Sequence, residues 1–84
     1  MAKIKLEIVT PEASVLNEEV DEFAAPGVKG QFGVLPGHTT LLSELERGPL
    51  TYTQDGQSKT LILTGGFAEV REDHAVILAD GVEA

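Results

Sequence analysis

Turn-forming residues recur at short intervals along the whole chain and leave little room for a long helix. The sequence has nine glycines and four prolines, and they are spread over its 84 residues instead of being gathered in a linker. Evenly spaced turn signals of this kind are typical of domains built from many short strands. We therefore expect an all-β domain of seven or more strands, arranged as a sandwich or barrel.

The length of the chain limits it to one domain. A chain of this size buries only about 60% of the surface that it exposes when unfolded, and it cannot support two cores. The sequence has no cysteine, so neither disulfides nor thiolate metal sites can supplement the core. Aliphatic side chains must therefore supply most of the core, which suits sheets whose inner faces interdigitate.

The acidic composition narrows the range of partners. The formal net charge is −8, from 14 acidic against 6 basic side chains, and such a field repels phosphate backbones and anionic lipid surfaces. No window approaches the roughly 18 consecutive apolar residues of a membrane span, and the start MAKIKLEIV lacks the apolar run of a signal peptide. We expect a soluble chain that binds no nucleic acid and does not insert into a membrane.

The clearest strand patterns lie at the start and in the second half of the chain. In KIKLEIV, Ile4, Leu6 and Ile8 alternate with charged residues, which predicts a strand with one buried face. LTYTQDGQSKTLILT predicts a hairpin that turns at Asp55–Gly56. A Gly65–Gly66 break then precedes a short strand, and the apolar run HAVILAD predicts a last strand that is covered on both faces.

Two interpretations are open for the segment ASVLNEEVDEFAAPG, residues 13–27. Its apolar residues fall at helical spacing, and Thr10 with Pro11 offers an N-cap and a first helical residue, so the local pattern leans towards an amphipathic helix. The alternative is two short strands that change phase at residues 17–19, where a bulge or tight turn moves the apolar residues to the other side.

No catalytic, metal-binding or cofactor-binding set is recognisable in the sequence. His38 and His74 stand far apart without a metal-ligand motif, and the glycine-rich run GVKGQFG lacks the lysine and serine of a phosphate-binding loop. The serines have no nucleophile-elbow context. His38 is harder to dismiss because it follows Pro36–Gly37 at a turn, and one hypothesis is a small ligand-binding or hydrolytic β domain that uses the His38 loop.

Three blocks of the sequence, APGVKGQFGVLPGHTTLL, LILTGGFAEV and VILAD, occur in this order with a strand hairpin between the first two. The first resembles the pattern G-x-x-G-x-x-x-x-x-P-G-H-x-P-L-L, with Thr40 where many members have proline, and the second resembles S/T-G-G-x-x-E-V. Both patterns are those of the epsilon subunit of F-type ATP synthase, which is called delta in mitochondria. The blocks cover almost the whole chain at family-like intervals.

The resemblance implies a fold and a domain organisation. It implies about ten short strands in a two-sheet flattened sandwich or barrel, with strand, turn and strand in place of the helix over residues 13–27. It also implies that residues 1–84 form a single β-sandwich domain and that the C-terminal helical hairpin of many members is absent.

The function that the resemblance implies is that of a rotor part. The subunit sits in the central stalk, binds gamma and the c-ring, and couples proton flow to ATP synthesis without chemistry or cofactors of its own. The resemblance also implies a peripheral location in the complex, at the cytoplasmic face of a bacterial inner membrane.

Site residues are carried over by position. The resemblance implies that the c-ring is contacted by Gln31, an exposed Phe32 and His38, whereas gamma is contacted by Thr10, His38, Leu41, Leu42 and Ser43. For Leu41, Leu42 and Leu45 a place in the core is the open alternative. The residues that we expect to shape turns, through positive φ angles, close approach or a fixed φ, are Gly30, Gly33, Pro36, Gly37, Gly65 and Gly66.

Overall fold

Ten strands make up the regular structure of the protein in a computed structural model, which describes residues 2–83. The all-β prediction and the count of about ten short strands are therefore confirmed. The strands are β1 (Ile4–Val9), β2 (Ser14–Val20), β3 (Glu22–Gly27), β4 (Gly30–Val34), β5 (Leu41–Leu45), β6 (Gly48–Gln54), β7 (Gln57–Leu63), β8 (Gly66–Arg71), β9 (His74–Ala79) and β10 (Val82–Glu83).

The strands form one continuous hydrogen-bonded sheet that curls around its core, as in a flattened sandwich. Their order is β10-β7-β6-β3-β5-β8-β9-β1-β2, and β4 pairs with β3 outside this path. β1 and β9 are parallel, whereas the other pairs are antiparallel. Side chains from both halves of this order share a single core, because the curled halves face each other.

Alternation along the strands decides which side chains enter this core. Ile4, Leu6 and Ile8 of β1 are fully buried, as their period of two predicts. Leu50 and Tyr52 of β6 and Leu63 of β7 meet them from the facing half. The remaining buried apolar residues are Val20, Phe23, Ala25, Val34, Leu45, Ala68, Val70, Ala75, Ile77 and Ala79.

The segment 13–27 forms two strands, so the local lean towards a helix is wrong and the strand, turn and strand implied by the family resemblance is confirmed. The break falls at Asp21 and not at residues 17–19, through which β2 runs on without interruption. β2 pairs with β1, and β3 pairs with β4 and β6. These pairings with other strands outweigh the helical spacing, because the spacing reflects only the residues of the segment itself.

The second half of the chain follows its turn signals closely. β6 and β7 are joined at Asp55–Gly56, where both residues have positive φ angles of 51° and 82°. β8 begins at Gly66, as the glycine pair predicts. The prediction that β9 is covered on both faces is wrong, because Leu78 is 56% exposed and Val76 is only half-buried.

Candidate functional site

An apolar stripe lies on the outer face of the sheet formed by β5, β8, β9 and β1. Leu42, Phe67 and Leu78 are 64%, 42% and 56% exposed there, and Val9 and Val76 are half-buried beside them. Phe67 is paired directly with Leu78, and Leu78 with Val9. We call these five residues the apolar stripe. Phe67, Leu78 and Val9 form one cross-strand row, whereas Leu42 and Val76 lie in the next row on either side of Glu69.

The period of two in a strand explains why these side chains point outwards. In β8, Ala68 and Val70 are buried, so Phe67 lies on the opposite face. In β9, Ala75, Ile77 and Ala79 are buried, which leaves the alternate residues of an apolar run outside. Strands with apolar residues on both faces usually have both faces covered. The open face of β9 is therefore a candidate interface.

Charged side chains lie within and beside the apolar stripe. Glu69 is paired with Leu42 and Val76 in the neighbouring strands, and Arg71 Nη2 donates to its Oε2 at 2.9 Å. His74 Nε2 lies 3.2 Å from Oε1 of Glu7 on the adjacent strand. An apolar centre with a polar border is the usual composition of a protein–protein interface.

Thr10 and Leu42 lie on the same face, although they are distant in sequence. Thr10 accepts a hydrogen bond on Oγ1 from the N–H of Ala13 at 3.3 Å, in the turn after β1. This turn borders a depression that is also lined by Val9 and Leu78. Thr10 is thus at one end of the apolar stripe, and Leu42 belongs to the stripe itself.

Leu41 and Ser43 point to the other side of β5. They are half-buried and paired with Val70 and Ala68, which both lie in the core. Leu41 packs against the core, and Leu45 is buried. The core alternative thus holds for Leu45 and partly for Leu41, whereas Leu42 is exposed.

The turn that carries His38 lies at another end of the sheet. The N–H of Gly37 donates to Oδ1 of Asp73 at 2.7 Å, which fixes this turn beside the β8–β9 connection. His38 itself is half-buried, and its Nδ1 lies 2.7 Å from the carbonyl oxygen of Thr39. Because Val9 is paired with Leu78 near the far end of β9, the His38 turn and Thr10 lie at opposite ends of this sheet.

The β3–β4 hairpin presents Gln31 but shields much of Phe32. Gln31 is exposed, whereas Phe32 is half-buried and packs against the core. The prediction of an exposed Phe32 is therefore wrong, because its ring lies over Gly27 on the inner face. A groove of about 490 Å³ is lined by Gly27–Phe32 and Leu41–Glu44, and His38 is not among its lining residues.

The turn-shaping residues have distinct roles. Gly30 and Gly37 have φ angles of 122° and 85°, and the Gly65–Gly66 pair has 129° and 141°, in the region that favours glycine. Pro36 stands in the turn before His38, as expected. Gly33 departs from the prediction, because it has neither a positive φ nor a close neighbour at its Cβ position.

Reasoning from the sequence missed the apolar residues that β8 and β9 add to the surface. The sequence places Phe67 in the short strand after Gly65–Gly66 without indicating its face, and it predicts that Leu78 of HAVILAD is covered. The alternation of Phe67 and Glu69, with Ala68 between them, is a signal for an outward-facing phenylalanine. Residues 2–83 contain no cluster of three or more His, Asp or Glu suited to a metal ion, and no helix long and apolar enough to cross a bilayer.

Comparison with known sequences identifies the family. Residues 3–84 match the family model of the β-sandwich domain of the ATP synthase delta/epsilon chain. ATP synthase epsilon chain 2 of Syntrophotalea carbinolica is 52% identical over 81 residues, which are 96% of this chain and 59% of the relative. The ATP synthase epsilon chain of Carboxydothermus hydrogenoformans is 49% identical, with 96% of this chain and 60% of the relative covered. The chain thus spans about three fifths of the length of these relatives.

Solved structures agree with the sequence match. A chain of the Euglena gracilis mitochondrial ATP synthase, in a structure of its OSCP/F1/c-ring, superposes with a TM-score of 0.93 at 26% identity, over 99% of this chain and 54% of that one. A chain of the central stalk/c-ring of the Tetrahymena thermophila mitochondrial ATP synthase has the same fold, with a TM-score of 0.83 at 19% identity, over 98% of this chain and 66% of that one. The chain belongs to the family of the ATP synthase delta/epsilon β-sandwich domain.

Proposed function

We propose that this domain is a non-catalytic rotor part of an F-type ATP synthase, which binds gamma and the c-ring and couples proton flow to ATP synthesis. Membership in the delta/epsilon family supports this proposal. The superposition on a chain from an OSCP/F1/c-ring assembly supports it as well. In a bacterial cell such a domain works at the cytoplasmic face of the inner membrane, as a peripheral part of the complex.

The apolar stripe is the surface that we propose binds gamma. Phe67, Leu78 and Val9 form an uninterrupted apolar row, and Leu42 and Val76 flank Glu69 in the row beside it. A rotor subunit needs a permanent interface that transmits torque, and permanent interfaces are more hydrophobic than transient ones. The family resemblance assigns Thr10 and Leu42 to the contact with gamma. Thr10 lies at one end of the stripe, and Leu42 is one of its five residues.

A different part of the surface suits the polar loops of the c-ring. No acidic residue occurs from Phe23 to Ser43, although the chain has 14. This stretch includes exposed Gln31 and the half-buried His38 turn. Lys29 is the only charged residue of this stretch, so this part of an acidic protein can approach polar loops without the repulsion that clustered carboxylates would add.

The test is a pull-down of purified gamma and of the c-ring with the folded chain and two variants. Leu78→Ser removes an apolar side chain from the stripe, and we expect gamma binding to fall at least about tenfold because a buried leucine contributes roughly 1.5–3 kcal/mol. Leu35→Ser is the matched control for gamma binding, because Leu35 is 58% exposed outside the stripe, within the stretch that we assign to the c-ring. Absence of binding to both partners would contradict the proposed function, and equal loss in both variants would contradict the role of the stripe.

A further inference from the structure

The outer face of β5, β8, β9 and β1 consists of three cross-strand rows that differ in charge. The first row is Glu44, Phe67, Leu78 and Val9, and the second row is Leu42, Glu69, Val76 and Glu7. The third row is Arg71, His74 and Lys5. The apolar stripe occupies the first two rows, in which every charged residue is a carboxylate. The basic side chains of these four strands all lie in the third row.

Glu69 is the carboxylate at the centre of the apolar stripe. Leu42 and Val76 flank it in the neighbouring strands. Phe67 lies two residues before it in β8 and therefore on the same face of the sheet. The Glu69 side chain is 48% exposed in the free chain, so water reaches it there. A partner that covers the apolar stripe must also cover this carboxylate and displace that water.

The chain itself supplies only part of what a covered carboxylate needs. Arg71 Nη2 donates to Oε2 of Glu69 at 2.9 Å, and no hydrogen bond reaches Oε1 of Glu69 among residues 2–83. An ionised carboxylate has two acceptor oxygens with about four lone-pair sites. Its burial is strongly unfavourable unless its charge is paired and its oxygens accept hydrogen bonds. A partner on the stripe must therefore donate to Oε1.

The charges around Glu69 favour a cation as this donor. Glu7 and Glu44 lie in the same two rows, and the chain as a whole has a net charge of −8. A positively charged side chain on the partner is attracted by all three carboxylates, and its hydrogen bond to Glu69 is stronger than that of a neutral donor. An anionic partner surface would be repelled by both rows of the stripe.

From the acidic charge of these two rows and the open Oε1 of Glu69, we infer that gamma places a lysine or arginine side chain on Glu69 within the apolar stripe. The inference rests on the proposed function and specifies the chemistry of the gamma surface, which is apolar opposite Phe67 and Leu78 with one cation beside them. Apolar contacts are non-directional, whereas a charge-assisted hydrogen bond has a defined geometry. Glu69 thereby fixes the position of gamma along the stripe.

Replacement of Glu69 by leucine gives opposite results with and without a gamma cation. Glu69→Leu extends the apolar surface but leaves the cation without its partner, so we expect binding to purified gamma to weaken at least about tenfold. If no cation faces Glu69, the same variant removes only a desolvation cost and binds gamma equally or more tightly, which would overturn the inference. Circular dichroism of the free variant checks its fold.

Glu69→Gln and Glu44→Gln are a matched pair that keeps the side-chain shape. Each removes one negative charge from the same face, but Glu44 is exposed at the outer end of its row on β5. We expect Glu69→Gln to weaken gamma binding at least about fivefold and Glu44→Gln to change it less than about twofold, because exposed charges at a border contribute little. Equal losses in the two variants would indicate a general attraction by net charge and overturn the inference.

Substitutions in gamma identify the partner side chain. Each lysine and arginine of gamma is replaced by alanine, and its binding to the unmodified chain and to Glu69→Gln is measured. We expect one gamma variant to lose affinity for the unmodified chain and to lose at least about threefold less for Glu69→Gln. The absence of such coupling at every lysine and arginine would overturn the assignment to a cation.

The remaining outcomes separate the inference from the proposed function. Failure of the unmodified chain to bind both gamma and the c-ring would overturn the two together, whereas undiminished gamma binding by Glu69→Leu would overturn the inference alone. Loss of c-ring binding in place of gamma binding by Glu69→Leu would assign the stripe to the c-ring and overturn the inference. A dimer of the free chain in sedimentation that Glu69→Leu dissociates would assign the stripe to a second copy, with the same consequence.

Discussion

Lys3 Nζ donates to Oδ1 of Asp21 at 2.7 Å, and this pair links the start of the chain to the corner between β2 and β3. The same ammonium lies 3.0 Å from Oδ1 of Asp55, at the turn between β6 and β7. Asp21 Oδ2 accepts from the N–H of Asp55 at 3.0 Å. Three segments that are distant in sequence therefore meet at one carboxylate.

Removal of the Asp21 charge should loosen this corner. We expect Asp21→Asn to lower the urea midpoint of unfolding more than Asp55→Asn, because Asp21 accepts from both Lys3 and the backbone of Asp55. Asp55 is the matched control, since its side chain is 82% exposed and bonds only Lys3. A larger effect of Asp55→Asn would show that the turn and not Asp21 organises the corner.

The same corner gives a pH dependence of stability. The hydrogen bond from Lys3 lowers the pKa of Asp21 below its ordinary 3.8, and the bond to Asp21 raises the pKa of Lys3 above 10.5. A lowered carboxyl pKa stabilises the fold above the unfolded value and loses that contribution as the pH falls through the folded value. A raised lysine pKa stabilises the fold below 10.5 and loses its contribution above that pH.

We therefore expect the difference in unfolding free energy between the unmodified chain and Asp21→Asn to be constant from about pH 5 to 9 and to shrink below pH 4. Urea titrations across this range measure it. A difference that persists unchanged at pH 2 would mean that the carboxylate charge does not matter for the corner.

The core of β7 allows a direct test of packing. Leu63 is fully buried and paired with Gly48 and Val82 in the flanking strands. We expect Leu63→Ala to cost about 2–5 kcal/mol of unfolding free energy, through lost burial and the cavity left behind. Leu35→Ala, at an exposed leucine, should stay within about 0.5 kcal/mol of the unmodified chain. A cost of well under 1 kcal/mol for Leu63→Ala would contradict its burial.

Gly66 is a position where the backbone itself requires glycine. Its φ is 141°, and a Cβ there would overlap the backbone of Leu78 on β9. We expect Gly66→Ala to destabilise the domain by at least about 1–3 kcal/mol, whereas Gly33→Ala should be nearly neutral for stability. Thermal unfolding of both variants measures the contrast, and equal midpoints would contradict the tight β8–β9 approach.

The surface that carries Gln31 and His38 should matter for assembly and not for folding. We expect Gln31→Lys and His38→Ala to weaken binding to the c-ring while leaving the unfolding free energy within about 0.5 kcal/mol, because surface changes seldom cost more. Binding of each variant to the purified c-ring and urea unfolding are measured side by side. Unfolding of either variant would show that the side chain is structural.

Structural features that depend on a few neighbouring residues could be predicted from the sequence. The alternation of Ile4, Leu6 and Ile8 and the Asp55–Gly56 turn each depend on a few adjacent residues, and the structure has both. The family resemblance added the strand, turn and strand over residues 13–27, which the residue pattern alone favoured as a helix. Whether this segment forms strands or a helix depends on its pairing with β1 and β6. The spacing of its own apolar residues contains no information about those partners.

The candidate site could be predicted from the sequence only in part, because the exposure of a strand face depends on other elements of the fold. The apolar run of β9 indicates a strand with two apolar faces, but whether the outer face is covered depends on elements elsewhere in the chain. In residues 2–83 nothing covers Leu78, and it becomes the centre of the apolar stripe. Phe32 shows the opposite case, because the hairpin turns its ring inwards over Gly27.

The parallel pairing of β1 with β9 joins the first strand of the chain to the last long one. During synthesis nearly the entire domain must therefore be made before β1 can pair with its parallel neighbour β9. Contacts of such long sequence separation slow folding, and the waiting edge can meet other chains in the meantime. Late closure of the domain during synthesis is thus a consequence of its topology.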